Sequence, residues 1–230
     1  MKRVLVSGCS FTEYAEWPRV LFPDCEINNT GRIGAGNEYI ARSVIDTVTR
    51  STVDYVTILW SGLRRVDLSL SKKLEKTEFD QWLYKGTTNH SVILFSGGDW
   101  TRKTNIDNLW PHPGLDAFYK MKYQGKDQNF LIEQSLLWIM LCQMFLEQNN
   151  IKYKFSFIYN PFDPPLDEPS LGPKIKKNHP YLASINWKNY IDVTPLEYAI
   201  RCNGLDQDGF HPTQKTMNNW AQSIQHFFKE

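Results

Sequence analysis

The sequence lacks the features that mark metalloproteins, nucleotide-binding enzymes and nucleic-acid-binding proteins. Its four cysteines form no Cys-x-x-Cys pair and its histidines show no metal-ligand spacing, so we expect free, buried thiols and no metal. No Walker lysine follows a glycine-rich turn, and Gly34-Ala35-Gly36 lacks the third glycine of a dinucleotide loop. The formal net charge of +1 favours neither nucleic acid nor an anionic membrane as a partner. The sequence therefore predicts no metal, no cofactor, no nucleic acid and no membrane.

Long apolar runs are also missing. The chain begins Met-Lys-Arg, and the apolar stretch Val4-Leu5-Val6 is too short for the core of a signal peptide. Residues 136–146 form the most apolar run, but Gln143 interrupts them and the run is too short to cross a bilayer. These absences predict a cytoplasmic protein.

The composition and patterning that are present indicate an α/β fold. Of 230 residues, 41% are hydrophobic and 14% aromatic, which is enough for a substantial core. Short β-branched or apolar runs alternate with segments of helical periodicity, which favours a three-layer sandwich around a mostly parallel sheet. The predicted strands are 3–7, 26–28, 53–60, 151–159 and 190–193, and the predicted helices are 13–22 with a break at Pro18, 37–49, 130–148 and 213–228.

Residues 66–128 do not follow this alternation. Tryptophans and tyrosines lie there among many polar residues, a composition too aromatic for a flexible linker. We expect one domain over residues 1–230, with an ordered insertion or lid at about 66–128.

The segment Gly8-Cys9-Ser10-Phe11-Thr12 is the first candidate for chemistry because it follows the first predicted strand directly. Ligands of parallel sheets bind where strands end and helices begin, so a serine there faces the crevice. The alternative is structural, since Ser10-Phe11-Thr12-Glu13 also fits a capping box in which Ser10 only caps a helix.

The segment Asp206 to Pro212 is the second candidate, and it precedes the last predicted helix. Asp208 and His211 are three residues apart in a turn made tight by Gly209. A carboxylate at this spacing can bond Nδ1 of the imidazole and leave Nε2 free as a base. Pro212 suits the first position of a helix. The alternative is an ordinary helix entry with a capping aspartate.

Together the two segments resemble the SGNH (GDSL-like) hydrolase superfamily, and they follow the order Ser…Asp…His of α/β hydrolases. Gly8-Cys9-Ser10 matches the Gly-Asp-Ser-like first block, and Asp208 to Pro212 matches the fifth block, Asp-x-x-His-Pro. Asn29-Thr30-Gly31-Arg32-Ile33-Gly34 matches the Asn-x-Gly-x-x-Gly second block. The resemblance implies a flavodoxin-like sandwich that covers most of the chain apart from 66–128.

The resemblance also implies roles for individual residues. Ser10 would be the nucleophile, His211 the general base and Asp208 the group that orients it, while the N–H groups of Ser10 and Gly34 would bind the oxyanion. The implied activity is that of a serine esterase or deacylase. Its substrate would be a small O-acyl ester, such as an acetylated carbohydrate.

Two positions depart from the family pattern. Cys9 replaces the aspartate before the serine, and Leu63 falls where the third block places an asparagine that donates to the oxyanion. We expect Arg64, Arg65 or Asn37 to substitute as a donor or to bind substrate. The alternative is a weak or inactive SGNH-fold binding or structural module, such as one associated with a phage or virion.

Overall fold

The computed structural model describes residues 1–13, 15–63, 65, 67–70, 83–85, 91–94, 128–162, 175 and 179–228. Its strands are β1 (Arg3–Gly8), β2 (Glu26–Asn29), β3 (Tyr55–Trp60), β4 (Asp67–Leu70), β5 (Leu83–Lys85), β6 (Ser91–Leu94) and β7 (Lys152–Phe157). Its helices are α1 (Ser10–Glu13), α2 (Trp17–Leu21), α3 (Asn37–Arg50), α4 (Gln128–Gln148), α5 (Pro195–Arg201) and α6 (Gln214–Ile224). Short 3₁₀ turns span Pro180–Ser184, Trp187–Asn189 and Gln225–Phe228.

The central sheet is parallel and has the strand order β2-β1-β3-β7. From β1 the chain passes to β2 on one side and then to β3 on the other side of β1, so the direction of strand addition reverses at β1. Gly8 lies opposite Leu59, and the carboxyl ends of β1 and β3 therefore meet at the same edge of the sheet. A crevice outside the carboxyl ends is expected at such a reversal, and this is where the chain following β1 emerges.

Helices cover the sheet in two groups, which gives the predicted three-layer α/β sandwich. α3 packs against α4, whereas α2 and α5 pack against α6. The second group is held by Trp17 and Trp220, two fully buried indoles that meet edge to face with centroids 5.4 Å apart. An edge-to-face aromatic pair adds about 0.5–1.5 kcal/mol beyond its burial. This contact joins the N-terminal and C-terminal parts of the chain.

Three predicted elements differ from the structure. The predicted helix over 13–22 is two short helices, and Pro18 lies in the first turn of α2, where its missing N–H costs no hydrogen bond. The predicted strand over 190–193 is reduced to a single parallel bridge between Tyr190 and Phe155. α5 was not predicted; Pro195 begins it and supplies the fixed φ angle of a first helical turn.

Helix α4 is longer than its most apolar run. Among the described residues, the segment Asn129–Gln148 is the one helix long and apolar enough to cross a membrane by length and composition. Its inner face is buried, with Leu136, Ile139 and Cys142 at 0–1% exposure. The Gln143 side chain also bonds the chain near Ser184 and Asn186. One face of α4 is thus packed against the fold, whereas Leu141 and Met144 are 40% and 45% exposed.

The predicted insertion at 66–128 contributes a second, antiparallel sheet with the order β4-β6-β5. Its remaining residues, which include most of the aromatic side chains noted above, lie outside the described residues. The four cysteines are free thiols, as predicted, but only Cys9 and Cys142 are buried, and Cys202 is exposed.

Candidate active site

Ser10 lies two residues beyond β1, at the start of α1 and at the carboxyl edge of the sheet. Its Oγ is 2.9 Å from Nε2 of His211, a residue 201 positions away in the sequence. The first helical hydrogen bonds of α1 go to the backbone carbonyl of Cys9, not to the Ser10 side chain. The capping-box alternative therefore does not describe this segment, because the serine hydroxyl bonds the imidazole.

His211 is held by a compact turn that begins at Asp208. One carboxylate oxygen of Asp208 accepts the backbone N–H groups of Phe210 and His211, each at 2.8 Å. The other oxygen bonds Nδ1 of His211. Gly209 permits the turn because its φ of 71° lies in the left-handed region. The carboxylate thus fixes both the backbone and the ring of His211.

The helix that follows has its own cap, so Asp208 does not serve as one. Thr213 is the N-cap of α6, and its side-chain oxygen accepts the Thr216 N–H. Pro212 precedes this cap, which corrects the prediction that it occupies the first helical position. The alternative of an ordinary capping aspartate at Asp208 is therefore wrong for this corner.

Electrostatics favour an ionised Asp208. Burial acts to raise the pKa of this carboxyl, but hydrogen bonds from the His211 ring and from two backbone N–H groups outweigh it and lower the pKa. An ionised carboxylate only accepts hydrogen bonds, so Nδ1 of His211 carries a proton, which in the neutral ring leaves the lone pair on Nε2. Nε2 is then able to accept the Ser10 proton.

Aromatic rings enclose one side of the imidazole. Phe11 and Phe210 lie 5.3 Å and 5.1 Å from the His211 ring, measured between centroids. The side chains of His211 and Asp208 nevertheless remain 39% and 49% exposed. In the described part of the chain the site is therefore braced by aromatic contacts and open to solvent.

Gly34, the last residue of the predicted second block, lies in the turn Arg32–Ala35. Ala35 N–H donates to the Arg32 carbonyl at 3.1 Å, and Gly34 has a φ of 77°. Ile33 has no positive φ, so the turn has the signature of type II, in which the third residue takes the left-handed conformation. Glycine is preferred at that position because a Cβ is disfavoured there.

The Gly34 N–H differs from its neighbours in having no acceptor among the described residues. The other N–H groups of residues 31–36 are all bonded, and their acceptors are Asn29 Oδ1, the Gly8 carbonyl, Glu13 Oε2, the Arg32 carbonyl and Asp67 Oδ1. The Ser10 N–H lies in the first turn of a helix, where no intrahelical acceptor exists. These are the two backbone donors that the sequence predicted for the oxyanion.

The N-terminus of α3 is capped from a distant element. Asp67 of β4 is 2% exposed and accepts the N–H groups of Gly36 at 2.7 Å and Tyr39 at 2.6 Å. A Cβ on Gly36 would lie 2.8 Å from the Asp67 carboxylate, so only glycine permits this approach. Burial raises the pKa of Asp67 to about 7 despite these two hydrogen bonds.

The predicted substitutes for the third-block asparagine lie in different environments. Asn37 is buried, and its Oδ1 accepts the Ser61 N–H at 2.9 Å while its Nδ2 donates to the Ser61 carbonyl at 3.4 Å. Its carboxamide thus joins α3 to the end of β3. Leu63 is 2% exposed, and its carbonyl accepts the Ser135 hydroxyl at 2.6 Å.

The structure does not test whether Arg64 or Arg65 replaces the third-block asparagine. Arg64 lies outside the described residues. Arg65 is half-buried, its Nη1 has no hydrogen-bond partner in the part of the chain that the structure describes, and its charge acts on Asp67. Substrate binding by Asn37, Arg64 and Arg65 remains a prediction.

Sequence reasoning missed the hydrogen-bonding roles of three polar groups around this edge of the sheet. Glu13 appeared as part of a capping box, but its carboxylate contacts Arg32 and Ile33. Asp67 carried no signal of its role as a cap. Ser61 has a buried hydroxyl without a hydrogen-bond partner among the described residues. Only the glutamate had a local signal, namely its position three residues after the serine.

The sheet order and the crevice define the class of fold, a flavodoxin-like three-layer α/β sandwich. Among solved structures, the chain is similar to the psychrotrophic esterase EstA from Pseudoalteromonas sp., solved with monoethylphosphonate as inhibitor. The TM-score is 0.53 at 11% identity, over 100% of this chain and 97% of the esterase. This likeness shows the fold, a three-layer α/β sandwich around a parallel central sheet, as the sequence predicted.

A second similar structure is a member of the lipolytic G-D-S-L protein family from Veillonella parvula. Its TM-score is 0.49 at 10% identity, and both chains are covered completely. No protein-family model matches the sequence, and no curated protein matches it.

Proposed function

We propose that this protein is a serine hydrolase of carboxylic esters, with Ser10, His211 and Asp208 as its catalytic triad. The observation that carries the proposal is the continuous contact from Ser10 Oγ to His211 Nε2 at 2.9 Å and from His211 Nδ1 to Asp208. A structural serine has no need of an imidazole oriented by a carboxylate. Such an arrangement increases the nucleophilicity of a hydroxyl.

The chemistry follows from the protonation states at the site. His211 Nε2 takes the hydroxyl proton as Ser10 Oγ attacks the ester carbonyl, and Asp208 stabilises the resulting imidazolium. His211 then donates that proton to the departing alcohol, which leaves an acyl group on Ser10. Water, activated by the same nitrogen, releases the acid and restores the serine.

The N–H groups of Ser10 and Gly34 would stabilise the oxyanion. Removing one such donor from an enzyme typically costs about 3–4 kcal/mol of transition-state stabilisation. Leu63 supplies no side-chain donor, so a third donor has to come from elsewhere, and Asn37, Arg64 and Arg65 are the candidates. The proposed substrate is a small O-acyl ester, including acetylated carbohydrates, which suits a site whose catalytic side chains are partly exposed.

The test is covalent labelling with a fluorophosphonate, followed by location of the adduct by mass spectrometry. We expect one adduct on Ser10 and hydrolysis of short acyl esters by the unmodified protein. Ser10→Ala should lose both labelling and turnover while its melting temperature stays unchanged. Ser223→Ala is the matched control, because Ser223 is exposed and its hydroxyl bonds only the Trp220 carbonyl among the described residues.

The second candidate is a binding or structural module with a weak or inactive site. It is favoured by one observation, the buried Leu63 at the position of the missing asparagine. This candidate predicts that Ser10 resists the fluorophosphonate and that Ser10→Ala changes neither labelling nor turnover. Either result would reject the esterase proposal.

A further inference from the structure

Glu13 makes contacts that a surface glutamate at the end of a short helix does not require. Its side chain is 11% exposed, and its two oxygens point away from α1 into the turn that follows β2. Oε2 accepts the backbone N–H of Ile33 at 2.5 Å, and Oε1 accepts from Arg32 Nη1 at 3.0 Å. The carboxylate thus contacts the residue immediately before Gly34.

The contacts of Glu13 restrict the direction in which the Gly34 N–H points, because the residues it contacts belong to the same turn. In a type II turn the central peptide joins the second and third residues, here Ile33 and Gly34. Its N–H is the unbonded donor, and its direction depends on the rotation of that peptide. The hydrogen bond from the Ile33 N–H to Glu13 fixes the peptide before it, which joins Arg32 and Ile33. The hydrogen bond from the Ala35 N–H to the Arg32 carbonyl fixes the peptide after it, which joins Gly34 and Ala35. The central peptide is therefore held from both sides.

The same glutamate belongs to the helical turn that begins with Ser10. Asn29 reinforces this link, since its Nδ2 donates to the Thr12 carbonyl at 2.8 Å and its Oδ1 accepts the Gly31 N–H at 2.9 Å. Two side chains therefore attach the turn that carries Gly34 to the helix that carries Ser10.

We propose that Glu13 is a positioning residue that holds the Gly34 N–H in its donor orientation relative to Ser10. The inference rests on the proposed esterase function and adds a residue that acts through another group. The contributing contact is the bond to the Ile33 N–H. The ion pair with Arg32 contributes little, because Arg32 is 41% exposed and exposed pairs are screened by solvent.

The experiment compares Glu13→Ala, Glu13→Gln and Arg32→Met with the unmodified protein, well below their melting temperatures. Misplacement of a catalytic group by about 1 Å can cost about 100-fold in rate. We therefore expect Glu13→Ala to lower kcat by about 10- to 100-fold with KM changed less than about 2-fold. Glu13→Gln retains an acceptor for Ile33 and should recover most of the rate, and Arg32→Met should stay near the unmodified protein.

A trifluoromethyl ketone that adds to Ser10 provides a readout that a purely structural role would not change. Its adduct carries an oxyanion, so its affinity should fall in Glu13→Ala by the same factor as kcat/KM. Asp46→Asn is the control, since it removes the exposed ion pair to Arg50 on α3 and should change neither quantity.

Three results would overturn the inference. They are an unchanged kcat in Glu13→Ala, a loss in Arg32→Met equal to that in Glu13→Ala, and ketone affinity that stays constant while kcat falls. Failure of the esterase proposal is distinguishable, because the unmodified protein would then neither turn over esters nor label at Ser10.

Discussion

Replacing Asp67 with asparagine should reduce the pH dependence of stability. Burial raises the pKa of Asp67 to about 7 from an ordinary value near 3.8, and Glu38 raises it further while Arg65 lowers it. Between those two pH values the folded protein holds a proton that the unfolded chain has lost. The contribution of Asp67 to the free energy of unfolding is therefore fully present below about pH 4 and is lost as the pH rises through 7.

The size of the effect follows from the same two values. At roughly 1.4 kcal/mol per pKa unit, the rise from 3.8 to about 7 corresponds to about 4 kcal/mol of unfolding free energy. The substituted carboxamide would not titrate. It would also leave one of the Gly36 and Tyr39 N–H groups without an acceptor, at a cost of about 1–3 kcal/mol at every pH. Asp67→Asn should thus be less stable than the unmodified protein at pH 4, with the difference shrinking or reversing by pH 8.

The assay is denaturant unfolding of both proteins at several pH values between about 4 and 8.5, the range that brackets the two pKa values. Titrating groups that do not interact with Asp67 affect both proteins equally, so the difference between the two curves reports Asp67 together with its coupling to Glu38. Asp46→Asn, which breaks the ion pair with Arg50, is the control for a carboxylate-to-carboxamide change outside this site. Parallel curves for Asp67→Asn and the unmodified protein would refute the reasoning. They would mean that the two N–H bonds and the start of α3 fully offset the burial of the carboxylate.

Two further predictions concern the candidate catalytic groups. Gly34→Ala should lower kcat by up to about 100- to 1,000-fold, because alanine at a φ of 77° favours rotation of the turn and loss of one oxyanion donor. Asn150→Ala is the control, because it places alanine at a φ of 54° in an exposed turn away from the site. It should lower the free energy of unfolding by about 1 kcal/mol and leave turnover intact. Equal losses of activity in Gly34→Ala and Asn150→Ala would contradict the oxyanion role. Asp208→Asn keeps an acceptor for the Phe210 and His211 N–H groups but favours the wrong tautomer, so kcat should fall on the order of 10⁴-fold in ester hydrolysis while Tm changes little.

The sequence was sufficient to predict the strands and helices whose pattern of apolar residues lies within the element itself. Buried parallel strands are nearly continuous in apolar residues, so β1 and β3 were predicted to within two residues. The amphipathic period predicted α3. Ser10 was singled out because it follows the first strand, and His211 because it precedes the last helix.

The sequence was insufficient where a contact joins distant elements. Glu13 and Asp67 bond backbone N–H groups 20 and 31 residues away, and no local pattern encodes such a partner. A proline at a helix start likewise resembles a proline in a loop, which is why α5 was not predicted.

The separation of 201 residues between Ser10 and His211 has a consequence for biosynthesis. During translation, β1 and the serine turn leave the ribosome long before the Asp208–His211 corner exists. Until that corner is made, Ser10 has no imidazole partner, and the proposed mechanism could not operate. The contact between Trp17 and Trp220 likewise forms only after the later part of the chain has been made. Under the proposed mechanism, covalent labelling of Ser10 would thus report on folded chains that include the Asp208–His211 corner.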